Sequence, residues 1–326
     1  MQETMRPRAE PTDADRDAML RAAVAAPSMH NTQPWRFRFA GWEVEVYRDR
    51  ERELPAEDPS RRMLYVSLGA AIFNLRVAAA ARGIGSQVRH LMDQRRPDLV
   101  AVVELDAPLT GAMAGLAPYI LQRRTNREPF IDERVPDQVR AELGLRARIE
   151  GAVLQWLDRP PGQWWLQMAT KEAMDADDED RGRTAERRRW VGGDRADDGV
   201  PSSALGSRIA GGNPVVRDLA ATEADEARPV ATFERAPQFA VLATRYDGPI
   251  EWLRAGQALE GVLLEATAQG ISTSLLNQVI EHDSLRWHIN DPLGPWQRPQ
   301  AVIRFGYGLA VPPTPRRPIA DVLIRD

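Results

Sequence analysis

The sequence predicts an α+β protein built from two tandem modules, roughly 1–115 and 116–326. Three observations carry this reading. Segments with helical apolar spacing are interleaved with short runs in which apolar and charged residues alternate. Two long, nearly all-apolar helical segments, Met63–Arg82 and Trp252–Gln269, superpose without gaps at an offset of 187. A length of 326 residues is that of two domains or one large one.

Each element follows from local chemistry. Asp13–Ala26 reads as an amphipathic helix, capped by Thr12 or Asp13 and stopped by Pro27. Trp35, Phe37 and Phe39 alternate with Arg36 and Arg38, Gly41 turns the chain, and Val44 and Val46 alternate with Glu43 and Glu45, which makes a hairpin. Arg50–Arg62 is a charged loop with Pro55 and Pro59. The long segment Met63–Arg82 ends at Gly83, a good residue for leaving a helix, and its composition requires burial on most sides. Leu99–Leu105 is a strand. The pattern then restarts with a helix at Pro136–Leu145, strands at Ala152–Leu157 and Phe239–Thr244, the second long helix ended by Gly270, and a last strand at Ala301–Phe305 before the Gly306-Tyr307-Gly308 turn. In the superposition of the long helices Gly69, Ala71, Ala79, Ala81, Gly83 and Ile84 fall on Gly256, Ala258, Ala266, Ala268, Gly270 and Ile271, so duplication is the expected origin. The second module is enlarged by Asp158–Thr232, a charged stretch with little apolar periodicity. It is expected to add little core and to form a lid-like surface excursion.

Composition narrows the chemistry. Lys+Arg is 43 against Asp+Glu 47, a formal charge of −4, which excludes a broadly basic nucleic-acid binder. The absence of cysteine excludes disulfides, thiolate nucleophiles and cysteine metal sites. Four histidines, His30, His90, His282 and His288, are too few and too scattered for a His-rich metal site, so no metal is expected. No stretch reads as a membrane span or signal peptide, and a cytoplasmic location is expected. Lys171 is the only lysine, so an anion site here must be made of arginine. Dinucleotide, P-loop, zinc-protease and serine-hydrolase motifs are all missing; Gly83-Ile84-Gly85 follows a helix and reads as its cap.

Two segments carry dense polar chemistry. Pro27-Ser28-Met29-His30-Asn31-Thr32-Gln33-Pro34-Trp35 packs donors and acceptors into a short turn between helix and strand; a plain helix stop with an Asx turn is the alternative. Arg123-Arg124-Thr125-Asn126-Arg127 offers three guanidinium forks and a hydroxyl, suited to a phosphate monoester, with a solvated charge run as the alternative. Arg316-Arg317 and Arg187-Arg188-Arg189 are similar, weaker signals.

These two segments, in this order, resemble the nitroreductase superfamily of FMN-binding flavoproteins, and most closely its duplicated single-chain Acg-type branch. The stretches APSMHNTQPWRFRF, RRTNREPF, SLGAAIFNLRVAAAARG, AGQALEGVLLEATAQGISTSLLNQ and the ending FGYG…PRRP all look like that branch, and the likeness is weakest over Asp158–Thr232. The resemblance implies a nitroreductase-like fold in which the two modules pair as an intramolecular pseudo-dimer, monomeric or weakly dimeric. It implies FMN, one per chain, held by the Pro27, Ser28, His30, Asn31, Gln33 turn of the first module and the arginine turn of the second. Arg123, Thr125 and Arg317, with Arg124 and Arg316, would hold the phosphate; Arg127 would face the flavin pyrimidine edge; Leu275, Asn277 and Gln278 would lie by flavin N5, although Asn277 and Gln278 depart from the acidic residue and glycine usual there. Arg188 or Arg189 and Trp190 would reach the flavin from the insertion. The reciprocal site is expected to be dead, because the first module offers only Arg6 and Arg8 and the second has Leu145-Arg146-Ala147-Arg148-Ile149-Glu150 in place of the turn. The implied activity is ping-pong hydride transfer from NAD(P)H through flavin N5 to a nitroaromatic, quinone or similar acceptor. The alternatives are FMN sequestration under a closed lid and a dehydrogenase acting on a particular metabolite.

Overall fold

The computed structural model describes residues 10–325 apart from 91–94, 110–112, 158–160, 212–215, 221–224, 226, 287–288 and 290–296; Arg6, Arg8 and His288 lie outside the described residues. Helix α1 (Asp13–Val24) opens with a capping box in which the Thr12 hydroxyl accepts from the Asp15 amide and the Asp15 carboxylate accepts from the Thr12 amide. Strands β1 (Trp35–Ala40) and β2 (Glu43–Arg48) form the expected hairpin in the register Trp35↔Arg48 to Ala40↔Glu43. Helix α2 (Arg62–Ala81) starts on Arg61 in the left-handed region. Its first free amides are taken by Asp58, whose carboxylate accepts from Met63 N at 3.2 Å and Leu64 N at 2.8 Å. Strands β3 (Gln87–His90) and β4 (Leu99–Glu104) complete an antiparallel sheet of order β1-β2-β4-β3.

The second half begins with helix α3 (Asp137–Ile149) and strand β5 (Val153–Trp156). Helices α4 (Gly162–Glu179) and α5 (Arg181–Trp190) and the short parallel pair β6 (Arg208–Ile209) and β7 (Val230–Ala231) follow. Strand β8 (Gln238–Thr244), helix α6 (Pro249–Ala268), strand β9 (Ser272–Leu275) and strand β10 (Arg298–Gly306) close a second antiparallel sheet of order β5-β8-β10-β9. Setting the insertion aside, each sheet lays the first, second, fourth and third of its strands in chain order side by side, with the long helix between the second and third.

Helices α2 and α6 cross at the centre. A Cβ on Gly69 would lie 2.1 Å from the Leu253 carbonyl oxygen, and one on Gly256 would lie 2.0 Å from that of Val66, so only glycine permits this approach. Both helices leave through the same hydrogen bond: Ile84 N donates to Ala79 O at 2.9 Å past Gly83, and Ile271 N donates to Ala266 O at 2.8 Å past Gly270. One core lies between the first sheet, α1 and α2; another between the second sheet, α3 and α6, and it includes Met63 and Val66 from α2.

The expected burial of α2 holds, and one expectation needs correction. The α2 segment is long and apolar enough, by length and composition, to cross a membrane; it is instead buried as a core helix, with Arg62 and Asn74 inside. The insertion is not an appendage without core. Leu166, Ala169 and Ala173 of α4 recur at helical spacing and pack with Phe239, Val241 and Val302 on the outer face of the second sheet. The signal was hidden because the same helix carries many acidic residues, and because α5 buries arginines rather than aliphatic side chains.

Candidate functional site

Pro27 ends α1, and the chain turns through a short 3₁₀ segment, Met29–Asn31, into β1. Three non-glycine residues here have left-handed backbones: His30 (φ 47°), Asn31 (φ 55°) and Gln33 (φ 51°). Such conformations persist only where the surroundings enforce them. Ser28 Oγ accepts from Gln33 N at 2.9 Å, and Ser67 Oγ of α2 accepts from Met29 N at 3.3 Å. Asn31 Nδ2 donates to Gly199 O (2.9 Å) and Pro315 O (3.0 Å), while its Oδ1 accepts from Arg316 Nη1 at 3.0 Å. The His30 ring is hydrogen-bonded to the buried Glu57 carboxylate.

Facing this turn is the segment that follows the 3₁₀ turn Ala114–Tyr119. It is fixed by Asn126 N donating to Thr273 O at 2.8 Å and by a parallel bridge between Thr125 and Thr273 on β9. Arg123 is buried; Nη2 reaches Ala25 O at 3.5 Å, whereas Nε and Nη1 have no hydrogen-bond partner. Burial, and then Arg123 beside it, lower the Arg124 pKa. Burial pushes Arg316 down to about 9, with Arg123 and Arg124 adding to the effect. Burial, then Arg217 and Arg228, lower Arg127 to about 10, so it stays charged at neutral pH. Arg127 Nη1 donates to Ala204 O at 3.0 Å, and no carboxylate among the described residues lies within ion-pair distance of it.

The two segments wall one cleft of about 1040 Å³, its open mouth included. Pro27, Ser28, His30 and Asn31 line it from the first segment and Arg123, Arg124, Thr125 and Arg127 from the second, with Arg316 beside Asn31. Asn31 and Arg127 thus line the same space. A second cleft of about 680 Å³ adjoins it, sharing Pro27, Ser28, His30, Thr125 and Arg127 and lined further by the apolar Met63, Val66, Ala70, Leu259 and Leu275 and by Asn277 and Glu281. The insertion forms part of both: Val200, Ser203, Ala204 and Gly206 line the first, Arg217 and Leu219 the second.

Three of the expected site residues stand outside both clefts. Arg317 points away: its Nη1 donates to Gln33 O (3.1 Å) and pairs with Asp49 (3.2 Å), so of the two neighbouring arginines Arg316 faces the cleft. Gln33 is wholly buried and ties the turn to the insertion through Asp197 O at 2.8 Å. Gln278 is wholly buried, and neither of its amide atoms has a partner. Asn277 lines the second cleft, but its Oδ1 accepts from Val302 N at 2.9 Å. From the insertion, Arg188 and Arg189 are exposed, and Trp190 packs among Leu54, Val191, Val200, Leu205 and Leu219 rather than in the cleft.

Other residues at the site carried no sequence signal or a faint one. Glu57, Arg187, Arg217, Asp177, Arg183 and Glu281 form a buried ion lattice that fastens the insertion to the first half; Arg217 Nη1 meets Glu281 at 2.8 Å and Arg187 Nε meets Glu57 at 3.1 Å. His282 joins it through Asp177 at 2.8 Å. Glu260 lies beneath the arginines, wholly buried, and a glutamate between Leu259 and Gly261 in the apolar middle of the helix is the available clue. Among the described residues no group of His, Asp and Glu could hold a metal ion.

The arrangement suits a phosphate monoester joined to a flat apolar body. Four guanidiniums converge on one cleft, and buried N–H groups of Arg123 and Arg316 lack partners, a state that an anion accepting those hydrogen bonds relieves. The adjoining cleft has aliphatic walls. The FMN implied by the sequence resemblance has this chemistry, and the donor set fits it.

The fold and this cleft define a nitroreductase-like α+β protein. A solved structure of a "putative nitroreductase" from Anabaena variabilis has the same fold across 95% of this chain and 93% of its own, with a TM-score of 0.54 and 8% identity. No protein-family model matches the chain. In Mycobacterium tuberculosis H37Rv, "Putative NAD(P)H nitroreductase acg" is 30% identical over 320 residues, 95% of each chain, and the uncharacterised protein Rv3127 is 32% identical over 318 residues, covering 92% of this chain and 90% of its own. "Putative NAD(P)H nitroreductase Rv3131" from the same strain is 28% identical over 327 residues, 94% of this chain and 90% of its own. The chain belongs to the Acg-type family of the nitroreductase superfamily.

Proposed function

We propose that the protein is a cytoplasmic FMN-dependent NAD(P)H oxidoreductase of the nitroreductase type, acting on a small nitroaromatic, quinone or similar acceptor. The observation that carries this is the set of partnerless buried guanidinium N–H groups in a cleft walled by both signature segments. FMN, when bound, supplies the two-electron relay between NAD(P)H and acceptor. The work of the chain is binding and orientation. Arg123, Arg124, Thr125 and Arg316 hold the phosphate. Met63, Val66, Ala70, Leu259 and Leu275 exclude water around the ring. Arg127, shared by both clefts, keeps a positive charge between them. Names of relatives agree with this activity.

The same reading gives one FMN per chain in a pseudo-dimer of two modules. The repeated strand order and the contact of Gly69 with Gly256, residues that the sequence superposition pairs, support duplication. Elsewhere along α2 and α6, Arg76 pairs with Glu150 at 2.7 Å and donates to Gln257 at 2.8 Å, and Gln257 reaches His90 at 3.4 Å. The test is direct. Purified protein is yellow, releases FMN with a stoichiometry near one on denaturation, and bleaches when mixed anaerobically with NADPH. A colourless chain that does not take up added FMN overturns the proposal.

A second reading, FMN sequestration, is favoured by the insertion, whose residues line both clefts and are clamped by the buried ion lattice. Flavin that stays oxidised under excess NADPH, while dithionite still bleaches it, selects this reading.

A further inference from the structure

Glu260 sits on α6 directly under the arginine cradle. Its carboxyl is wholly buried, Arg123 Nε is 3.5 Å away, and neither oxygen has a hydrogen bond of good geometry. From the elements packed against this part of α6, three polar groups act on it: Arg123 from the segment after the 3₁₀ turn, the Asn74 amide from α2, and Arg316 from the C-terminal segment. Arg123 therefore has two possible counter-charges, one below it in the protein and one above it in the cleft. It cannot neutralise both at full strength in a buried setting, where two anions on one cation repel each other.

We propose that Glu260 is a proton-linked positioning residue of the phosphate site: free to ionise and pair with Arg123 while the cleft holds no anion, and held protonated when a phosphate dianion takes that arginine. This rests on the flavin reading of the cleft and adds the control of its charge. One proton enters with the dianion, so the site gains one net negative charge instead of two as Arg123 exchanges a carboxylate below for a phosphate above. The protein's own balance puts the group in range, since burial pushes the Glu260 pKa up to about 7 against the pull of Arg123 and Asn74. A bound dianion moves it higher.

The sign follows from linkage. A site that takes up a proton on binding loses affinity as pH rises through the free-state pKa. The phosphate monoester is itself largely dianionic above about pH 7, so its own titration adds little there. An acid half-protonated at pH 7 retains about a tenth of its protons at pH 8, so FMN affinity falls about fivefold over that unit.

The experiment titrates FMN-stripped full-length protein with FMN by calorimetry at pH 7, 7.5 and 8, each in two buffers of different ionisation enthalpy. Wild type is expected to take up protons and to show the fivefold fall; Glu260→Gln binds FMN with neither. Equal uptake and equal pH dependence in both proteins overturn the proposal, as does a wild type showing neither. If Glu260→Gln does not fold, Asn74→Ala replaces it: removing an amide that favours the charged carboxylate raises the midpoint of the pH profile, and an unmoved midpoint counts against Glu260. Sulfate, a dianion with no proton to exchange near neutrality, separates the two readings. Proton uptake with sulfate in a chain that ignores FMN sinks the flavin reading and leaves the linkage standing; binding of neither sinks both.

Discussion

Gly69 and Gly256 meet backbone to backbone where α2 crosses α6, and a methyl group on either would come within 2.1 Å of a carbonyl oxygen of the other helix. The carbonyl belongs to a helix backbone and cannot swing aside, so the helices must separate, and both clefts draw residues from the turns beside this crossing. Gly69→Ala and Gly256→Ala are each expected to destabilise the fold by about 2–3 kcal/mol or more, as overpacking in a filled core does. Chemical denaturation measures this. Gly115→Ala, whose added carbon meets nothing within 4 Å, is the control and stays near wild type.

Arg316 and Arg317 are adjacent in sequence but have different surroundings. Arg316 lines the cleft; Arg317 stands outside it, with Nη1 on Gln33 O and Asp49. Arg316→Met and Arg123→Met are each expected to weaken FMN binding by about 10- to 100-fold, the worth of a charge-assisted hydrogen bond or two. Arg317→Met lowers the melting temperature and leaves affinity within a few-fold of wild type. Flavin fluorescence titration distinguishes them, and a large affinity loss in Arg317→Met reverses the assignment.

That pair also marks what the sequence reveals and what it hides. Elements with a strong period are legible: both long helices, the hairpin and the β4, β8 and β10 strands lie within a few residues of where the spacing puts them. The turn and the arginine segment are legible as clusters, and the structure brings them to one cleft. Short strands such as Gln87–His90 and Ser272–Leu275 are too brief to show alternation. Which of two neighbouring arginines points inward depends on Asp49, far away in sequence, and no local pattern encodes it. The insertion is opaque for a further reason: many of its contacts to the first half are polar, Arg187 and Arg217 on the Glu57 carboxylate, Arg183 on the Ala56 and Glu57 carbonyls and Asp198 on Arg52, and hydrophobic periodicity does not register such contacts.

That ion lattice makes the insertion acid-sensitive. Burial alone would raise the Glu57 carboxyl, but His30, Arg217 and Arg187 hold it well below the usual carboxylate range. Asp177 behaves alike: burial opposes ionisation, and His282, Arg217 and Arg183 bring it down to about 2. Carboxyls with depressed folded-state pKa values give stability that is complete above about pH 5 and is lost as pH falls toward those values. Acidification from pH 4 to 2 is therefore expected to release α4 and α5 before the sheets. Pepsin, active in this range, should cut within 162–190 first; simultaneous cleavage in β8 and β10 contradicts the order. At pH 7, Arg187→Met leaves buried carboxylates short of a partner and costs about 3 kcal/mol.

Asn31 ties three segments together: its side chain holds Gly199 of the insertion, Pro315 of the C-terminal segment and Arg316 in the cleft, all from a left-handed backbone. Two substitutions separate these roles. Asn31→Gly removes the side chain but accepts φ 55° freely, so its loss measures the hydrogen bonds alone, about 1–3 kcal/mol. Asn31→Ala adds backbone strain of about 1 kcal/mol to that. Both free the insertion edge and release Arg316 from its fixed direction, so FMN is expected to dissociate about tenfold faster in both, with alanine alone showing the further drop in melting temperature. If the insertion limits access to the flavin, bleaching by NADPH accelerates in both variants while bound flavin persists; an unchanged rate means that the wall at Gly199 does not gate the cleft.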